Sequence, residues 1–335
     1  MTAPLRLSIL DQTPVVEGAS IADAVAATVD LAQAADELGY HRYWCAEHHG
    51  SRGLANPCPE VMIARLAGAT KRLRVGSGGV MLPYYSPFKV AEQFLMLEAL
   101  FPGRIDLGLG RAPGSDRQTS RAVAAGPVDG ERFPAQVQAL IALLTGNIPE
   151  GHPYRDIVLQ PAAATRPELW MLGSSDFGGA LAAQLGIRFA FAHFINPDYG
   201  DQVARAYRRQ FQPGCEAAPH SAVALFVIAA DTQAEADDLA AAVDLRRLGM
   251  AYGMNVPIPS VAQAKARAYT AREMEVIEGE RPRSIIGTPE AVRDRVLALR
   301  EAFAADEVVV LTVAASYAAR LRSYELLAEA FGLGR

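Results

Sequence analysis

Only three cysteines occur in the 335 residues, Cys45, Cys58 and Cys215. Their number is odd and their spacing matches neither a disulfide framework nor a metal-ligand motif, so they read as reduced thiols of a cytoplasmic protein. Long uncharged apolar runs are also missing. No stretch reaches the 18 residues that signal a membrane helix, and the opening MTAPLRLSILDQ has no basic segment leading into a long apolar one. A soluble, unexported chain without a membrane partner is expected. Blocks of one charge sign are lacking too: 32 basic and 37 acidic residues are interspersed and leave a net charge of -5. Such a balance gives no basic face for nucleic acid. There is no low-complexity tract, no linker and no repeat beyond a βα unit.

What is present suits a large buried core. Half the residues are hydrophobic, and 28 glycines with 21 prolines supply many tight connections. Short β-rich apolar runs recur at 5–11, 41–46, 73–82, 104–109, 168–173, 188–194, 222–230 and 307–313. Most are near-continuous rather than alternating, as parallel strands covered on both faces should be. Helical patterns fill the gaps. Ser20 with Asp23 forms a capping-box start, Ile21, Val25, Val29, Ala32, Ala35 and Leu38 share one face, and Gly39 supplies the stop. Ser86-Pro87 and Thr288-Pro289 mark two further helix starts. Eight strand–helix alternations favour one closed (β/α)8 barrel, a TIM barrel, over an open doubly wound sheet. Two stretches exceed a minimal barrel and read as insertions, 145–167 and 248–286.

Catalytic groups of such barrels gather where strands end, and five strand ends carry unusual residues. The second ends in Cys45-Ala46-Glu47-His48-His49 and the third contains Gly76-Ser77-Gly78-Gly79; the fourth runs through Gly108-Leu109-Gly110-Arg111, the fifth ends in Gly173-Ser174-Ser175, and the sixth in His193. A metal site at His48 and His49 is disfavoured because neighbouring strand residues point to opposite faces. One of the two imidazoles at the barrel mouth suits acid, base or hydrogen-bonding work; the bland alternative is that both are structural. The dinucleotide fingerprint after Gly108 and Gly110 fails, since Pro113 stands where its third glycine belongs. Gly78 and Gly79 suit close approach of something flat, or simply a tight barrel contact. Arg111, Ser174 and Ser175, just before a helix starting near Phe177, could jointly hold a phosphate; the plain alternative is a solvated arginine and an N-cap.

The strings YWCAEHHG, RVGSGGVMLPYYSP, FPGRIDLGLGRAPG and IIGTPEAVRDRV occur in this order, and on them the chain resembles the bacterial luciferase-like flavin-dependent monooxygenases over nearly its whole length. The resemblance implies a barrel that binds FMN at its mouth and uses the reduced form as cosubstrate with dioxygen. It places the phosphate at Arg111, Ser174 and Ser175, with the backbone around Gly178 and Gly179 contributing, and the catalytic histidine at His48. Glu47 and His49 become supporting residues. Ser77, Gly78, Gly79 and Gly110 flank the flavin ring, with a non-proline cis peptide expected at Gly78-Gly79. Asp11, Gln12 and His193 become further pocket lining, and 248–286 falls where the family has a mobile loop, expected to be poorly ordered without ligand. A separate flavin reductase, an unidentified small organic substrate and a homodimer are the implied partners. Luciferase itself has a cysteine where this chain has Gly110, which puts light emission and long-chain aldehyde specificity in doubt. The superfamily leaves open a dehydrogenase using the deazaflavin coenzyme and an FMN-binding protein without turnover; a zinc-dependent barrel hydrolase using His48 and His49 is a further rival.

Overall fold

The computed structural model describes residues 5–112, 115–152 and 155–334. Nine parallel strands form, β1 (Arg6–Asp11), β2 (Arg42–Cys45), β3 (Arg74–Met81), β4 (Ile105–Gly110), β5 (Glu168–Gly173), β6 (Arg188–Ala192), β7 (Ser221–Ala229), β8 (Ser284–Gly287) and β9 (Glu307–Leu311). Eight of them close a barrel in the order β1 to β7 and then β9, because β6 pairs with β7 and β9 pairs with both β7 and β1. These eight coincide with the eight apolar runs. Among the described residues the ninth, β8, pairs with Phe226–Ala229 of β7 alone. It was not expected, since Ile285 and Ile286 are its only apolar side chains and they close a stretch that reads as polar.

The helices follow their local signals. Ile21–Leu38 begins at a Ser20–Asp23 capping box and ends at Gly39, whose φ of 88° is left-handed. Pro87–Leu100 and Pro289–Phe303 start on the two N-cap–proline pairs, although neither N-cap hydroxyl bonds the helix. Among the described residues, 146–167 holds no helix or strand. The other insertion is more ordered than its polarity suggests. After Gln233–Ala251 it forms helices Val261–Ala266 and Ala271–Glu280, each opened by a capping box, at Ser260–Gln263 and Thr270–Glu273. No helix among the described residues is long and apolar enough to cross a membrane.

The period of two along each strand sorts side chains into two cores. Tyr43 and Cys45 join a shell between strands and helices, while Trp44 and Ala46 enter the barrel interior with Trp170, Ala222 and Phe226. At the strand N-termini the interior is closed by charge. Buried Arg42 pairs with Asp106 at 2.5 Å, Glu307 at 2.8 Å and Glu168 at 3.3 Å. Trp44 donates its indole N–H to Asp106 at 2.9 Å and meets Trp170 edge-on. This plug leaves the opposite end, where the strand C-termini lie, as the open mouth.

Candidate active site

A cavity of about 280 Å³ opens at that mouth. Its apolar floor includes Leu10, Trp44, Leu172 and Ala224, and its rim is built from strand ends: Gln12 after β1, Glu47 and His48 after β2, Gly78 and Gly79 in β3, Gly110 and Arg111 at the end of β4, and Ser174, Ser175 and Gly178 after β5. A larger groove of about 1060 Å³ lies outside the barrel beside the helix Phe133–Thr145. It contains none of these strand-end groups.

The β3 wall is shaped by a backbone irregularity. The Gly78-Gly79 peptide is cis, and the β3–β4 register shifts between Ser77 and Val80. The Ser77 hydroxyl spans the shift, donating to the Gly108 carbonyl and accepting from its N–H, both at 3.0 Å. Side chains are excluded on both sides of that peptide. A Cβ on Gly78 would lie 2.6 Å from Leu10 Cδ1, and one on Gly79 would lie 2.7 Å from the Gly108 carbonyl oxygen. The result is a bare peptide surface facing the cavity, a cradle that suits a flat ring.

On the opposite rim, β5 feeds the helix Asp176–Leu185, with Ser175 as N-cap. The Ser175 hydroxyl makes no capping bond and, among the described residues, no other hydrogen bond, while Asp176 takes the Phe177 amide at 2.9 Å. Arg111 is exposed, its guanidinium 4.1 Å above the Phe177 ring centre. Guanidinium, hydroxyls and a helix N-terminus thus converge on one corner of the cavity, a donor set that suits a phosphate.

Between these two walls stands the Glu47-His48-His49 segment. Glu47 is buried and fully engaged: Oε1 accepts from Tyr85 at 2.6 Å and meets His49 Nε2 at 2.7 Å, and Oε2 accepts the Met81 N–H at 2.9 Å. It therefore braces β2 against β3, and only part of its surface reaches the cavity. His48 faces the cavity, anchored by its own N–H to the Asn56 carbonyl at 3.0 Å. Its Nδ1 is buried without a partner. Burial, then the Arg246 guanidinium and the neighbouring His49, push its pKa down to about 4, so the ring is neutral at neutral pH. His48 lines the cavity while His49, in the same irregular segment after β2, turns to Glu47, and among the described residues no group of three His, Cys, Asp or Glu could hold a metal.

Four of the expected residues do not line the cavity. Asp11 points outward, where Thr28 at 2.8 Å, Arg320 at 2.6 Å and Tyr43 hold it. Its position on β1 puts it on the opposite face from Gln12, which does line the cavity. Ser77 also lies outside the lining, its hydroxyl committed to Gly108. His193 packs against Phe303 at 5.9 Å between barrel and helix, and burial followed by Arg295 lowers its pKa. Gly179 packs on Val203 and Phe189 rather than the cavity. In the other direction, Tyr85 was missed, although it stands in the Tyr-Tyr pair after β3. Only the fold shows that its hydroxyl reaches Glu47.

The luciferase-like monooxygenase family model matches residues 5–306. The chain belongs to this family. It is 45% identical to the uncharacterized protein YceB of Bacillus subtilis, over 98% of this chain and 99% of that one. It is 38% identical to the N-acetyl-S-alkylcysteine monooxygenase of the same organism, over 97% and 98%. Among solved structures, apo-MsnO8 superposes with a TM-score of 0.90 at 36% identity, covering 98% of this chain and 99% of that one. The barrel is thus shared with that structure over nearly the whole of both chains.

Proposed function

We propose that the protein is a flavin-dependent monooxygenase that holds reduced FMN in the mouth cavity and transfers one atom of dioxygen to a small organic substrate. One observation carries the reading: a phosphate-suited corner at Arg111, Ser174 and Ser175 and a bare glycine wall at Gly78-Gly79 face the same cavity as His48. When bound, reduced FMN supplies the activation of dioxygen; the chain binds, orients and excludes water. Arg111 and the two serines would hold the phosphate, Gly178 would let it approach the helix start, and Gly78, Gly79 and Gly110 would form the wall for the ring. His48 Nδ1, neutral and without a partner among the described residues, would accept or return a proton in the cavity it lines. Glu47 and His49 keep that segment in place.

Water exclusion falls to the 248–286 insertion. Ile258 exchanges backbone hydrogen bonds with Val15 and Glu17 at 2.8 and 2.9 Å, and Ser51 donates to Asn255 at 2.8 Å. The segment is thus laid over the loops after β1 and β2, where a cover shields reactive cofactor chemistry. Reduced FMN comes from a separate reductase, and a homodimer forms through the outer helices, whose Val61, Met96 and Leu100 leave apolar surface exposed.

Arg111→Ala should weaken FMN binding about tenfold to hundredfold, the worth of one charge-assisted hydrogen bond, as read by fluorescence titration; an unchanged dissociation constant removes Arg111 from the phosphate site. His48→Ala should slow oxygenation by a factor on the order of 10² to 10⁴ with FMN affinity nearly unchanged. The wild-type rate should stay level from neutral pH downward and fall only as pH approaches about 4, where the ring takes a proton. The function itself is tested by mixing protein, reduced FMN and ¹⁸O₂ with candidate substrates. One ¹⁸O atom in product per reduced FMN consumed supports the proposal. Reaction with dioxygen no different from free flavin points to a binding protein, and failure to bind FMN alongside tight deazaflavin binding points to a hydride-transfer enzyme.

A further inference from the structure

Helix Gln233–Ala251 carries a cation that the site described so far does not use. Arg246 is only 8% exposed, and its Nε has no hydrogen-bond partner. The charged residues beside it on the helix are engaged elsewhere: Asp244 takes Arg281 at 2.9 Å, and Arg247 donates to Ser284 at 2.7 Å while stacking on Phe226. Among the described residues no carboxylate comes within ion-pair distance of Arg246. Glu17, which borders the crevice on the outer side of Arg246, instead accepts from Gln263. A buried guanidinium without a counter-charge is costly, and proteins retain such groups where an anion arrives from outside.

Arg246 looks into a second cavity, of about 270 Å³, whose walls include Gln12, His48, Leu54, Met250 and Met254. Gln12 and His48 also line the cavity at the barrel mouth. The two spaces are therefore neighbours, with the His48 ring between them. One holds the glycine wall and the phosphate corner. The other sets a single arginine beside Leu54, Met250 and Met254, with Gln12, Ser51 and Asn255 as its neutral polar lining.

We propose that this second cavity is the substrate compartment and that Arg246 binds the carboxylate of an organic acid whose apolar part lies along Met250 and Met254 and reaches past His48. A single guanidinium fork matches the two oxygens of a carboxylate, and the lack of a second cation in the same cavity suits a monoanion better than a phosphate dianion. Identifying the ligand as the substrate rests on the monooxygenase reading above; the anion site does not.

The test is calorimetric titration of the full chain, with and without oxidised FMN, using straight-chain acids from acetate to octanoate and the matching amides at constant ionic strength. At least one acid should bind about tenfold or more tighter than its amide. Arg246→Met, which keeps the apolar stem, should bring that ratio close to one without changing FMN affinity, and Arg246→Lys should recover part of it. Arg246→Gln replaces the methionine variant if the latter does not fold. If no acid in the series is preferred over its amide, or the preference survives loss of the charge, the site is refuted. Because binding is read without turnover, that failure leaves the ¹⁸O result untouched, and failed oxygen transfer leaves this result untouched.

Discussion

Arg42→Met should destabilise the barrel by about 3–5 kcal/mol, the cost of leaving buried carboxylates without their cation. Arg42 is fully enclosed and joins Asp106, Glu168 and Glu307 across the strand starts. Asp106 would keep Arg74 at 2.6 Å, and Glu307 would keep His220 at 2.9 Å. Neither replaces a guanidinium that bridges both carboxylates inside the barrel. Burial alone would raise the pKa of Glu307, but the His220 hydrogen bond and the Arg42 charge hold it well below the usual carboxylate range. A depressed carboxylate pKa stabilises the fold above the unfolded pKa and loses that contribution as pH falls. The deficit of the variant should therefore be largest at neutral pH and shrink below the ordinary glutamate pKa of 4.5. Urea unfolding at pH 7 and pH 4 measures both. An equal deficit at the two pH values would show that lost packing, rather than lost charge pairing, is responsible.

Gly79→Val should cost about 1–3 kcal/mol in stability, as overpacking does, and lower FMN affinity by more than about tenfold. The new Cβ would lie 2.7 Å from the Gly108 carbonyl oxygen and 2.8 Å from Leu172 Cδ1. The first of these is backbone and cannot swing aside, so β3 must move away from β4 or push its side chain into the cavity. Gly110→Ala is the matched control. A Cβ there meets nothing nearer than the Val80 carbonyl at 3.8 Å, so the variant should fold with near wild-type stability. Thermal unfolding and flavin titration on both variants separate the two positions; wild-type FMN binding by the valine variant would mean that the glycine wall does not face the ring.

The lining of the cavity was legible in the sequence wherever a strand end announced itself through residues with no reason to be in a core. Glu47, His48, Arg111, Ser174 and Ser175 all stand at such ends, and all five reach the cavity. Asp11, Ser77 and His193 satisfied the same criterion and face elsewhere. One-residue differences in strand phase decided this: Gln12 faces in and Asp11 out, and at the β3 slip Ser77 turns to Gly108 while Gly78 and Gly79 turn to the cavity. Arg246 offered no signal, because an arginine within a helix between Leu245 and Arg247 reads as a solvated charge. Its isolation becomes visible only when the helix is packed on the mouth and each neighbouring acid is found to be occupied.

By itself, the sequence determined that this protein alternates buried parallel strands with helices, a pattern that favours a barrel; the β9–β1 pairing that closes it is tertiary. Strands buried on both faces must be continuously apolar, and each helix between them carries its own start and stop, as the Ser20–Asp23 box and Gly39 show. These are local properties, written within a few residues of where they act. Only the tertiary structure decided which side chains share a space. It brought residues 42, 106, 168 and 307 to one plug and residues 12, 48 and 246 to one cavity, and it made a β-strand of Ser284–Gly287 because β7 extended beyond β6 and offered an edge. Pairings of this kind depend on barrel closure and on the phase of each strand, which no stretch of a dozen residues contains.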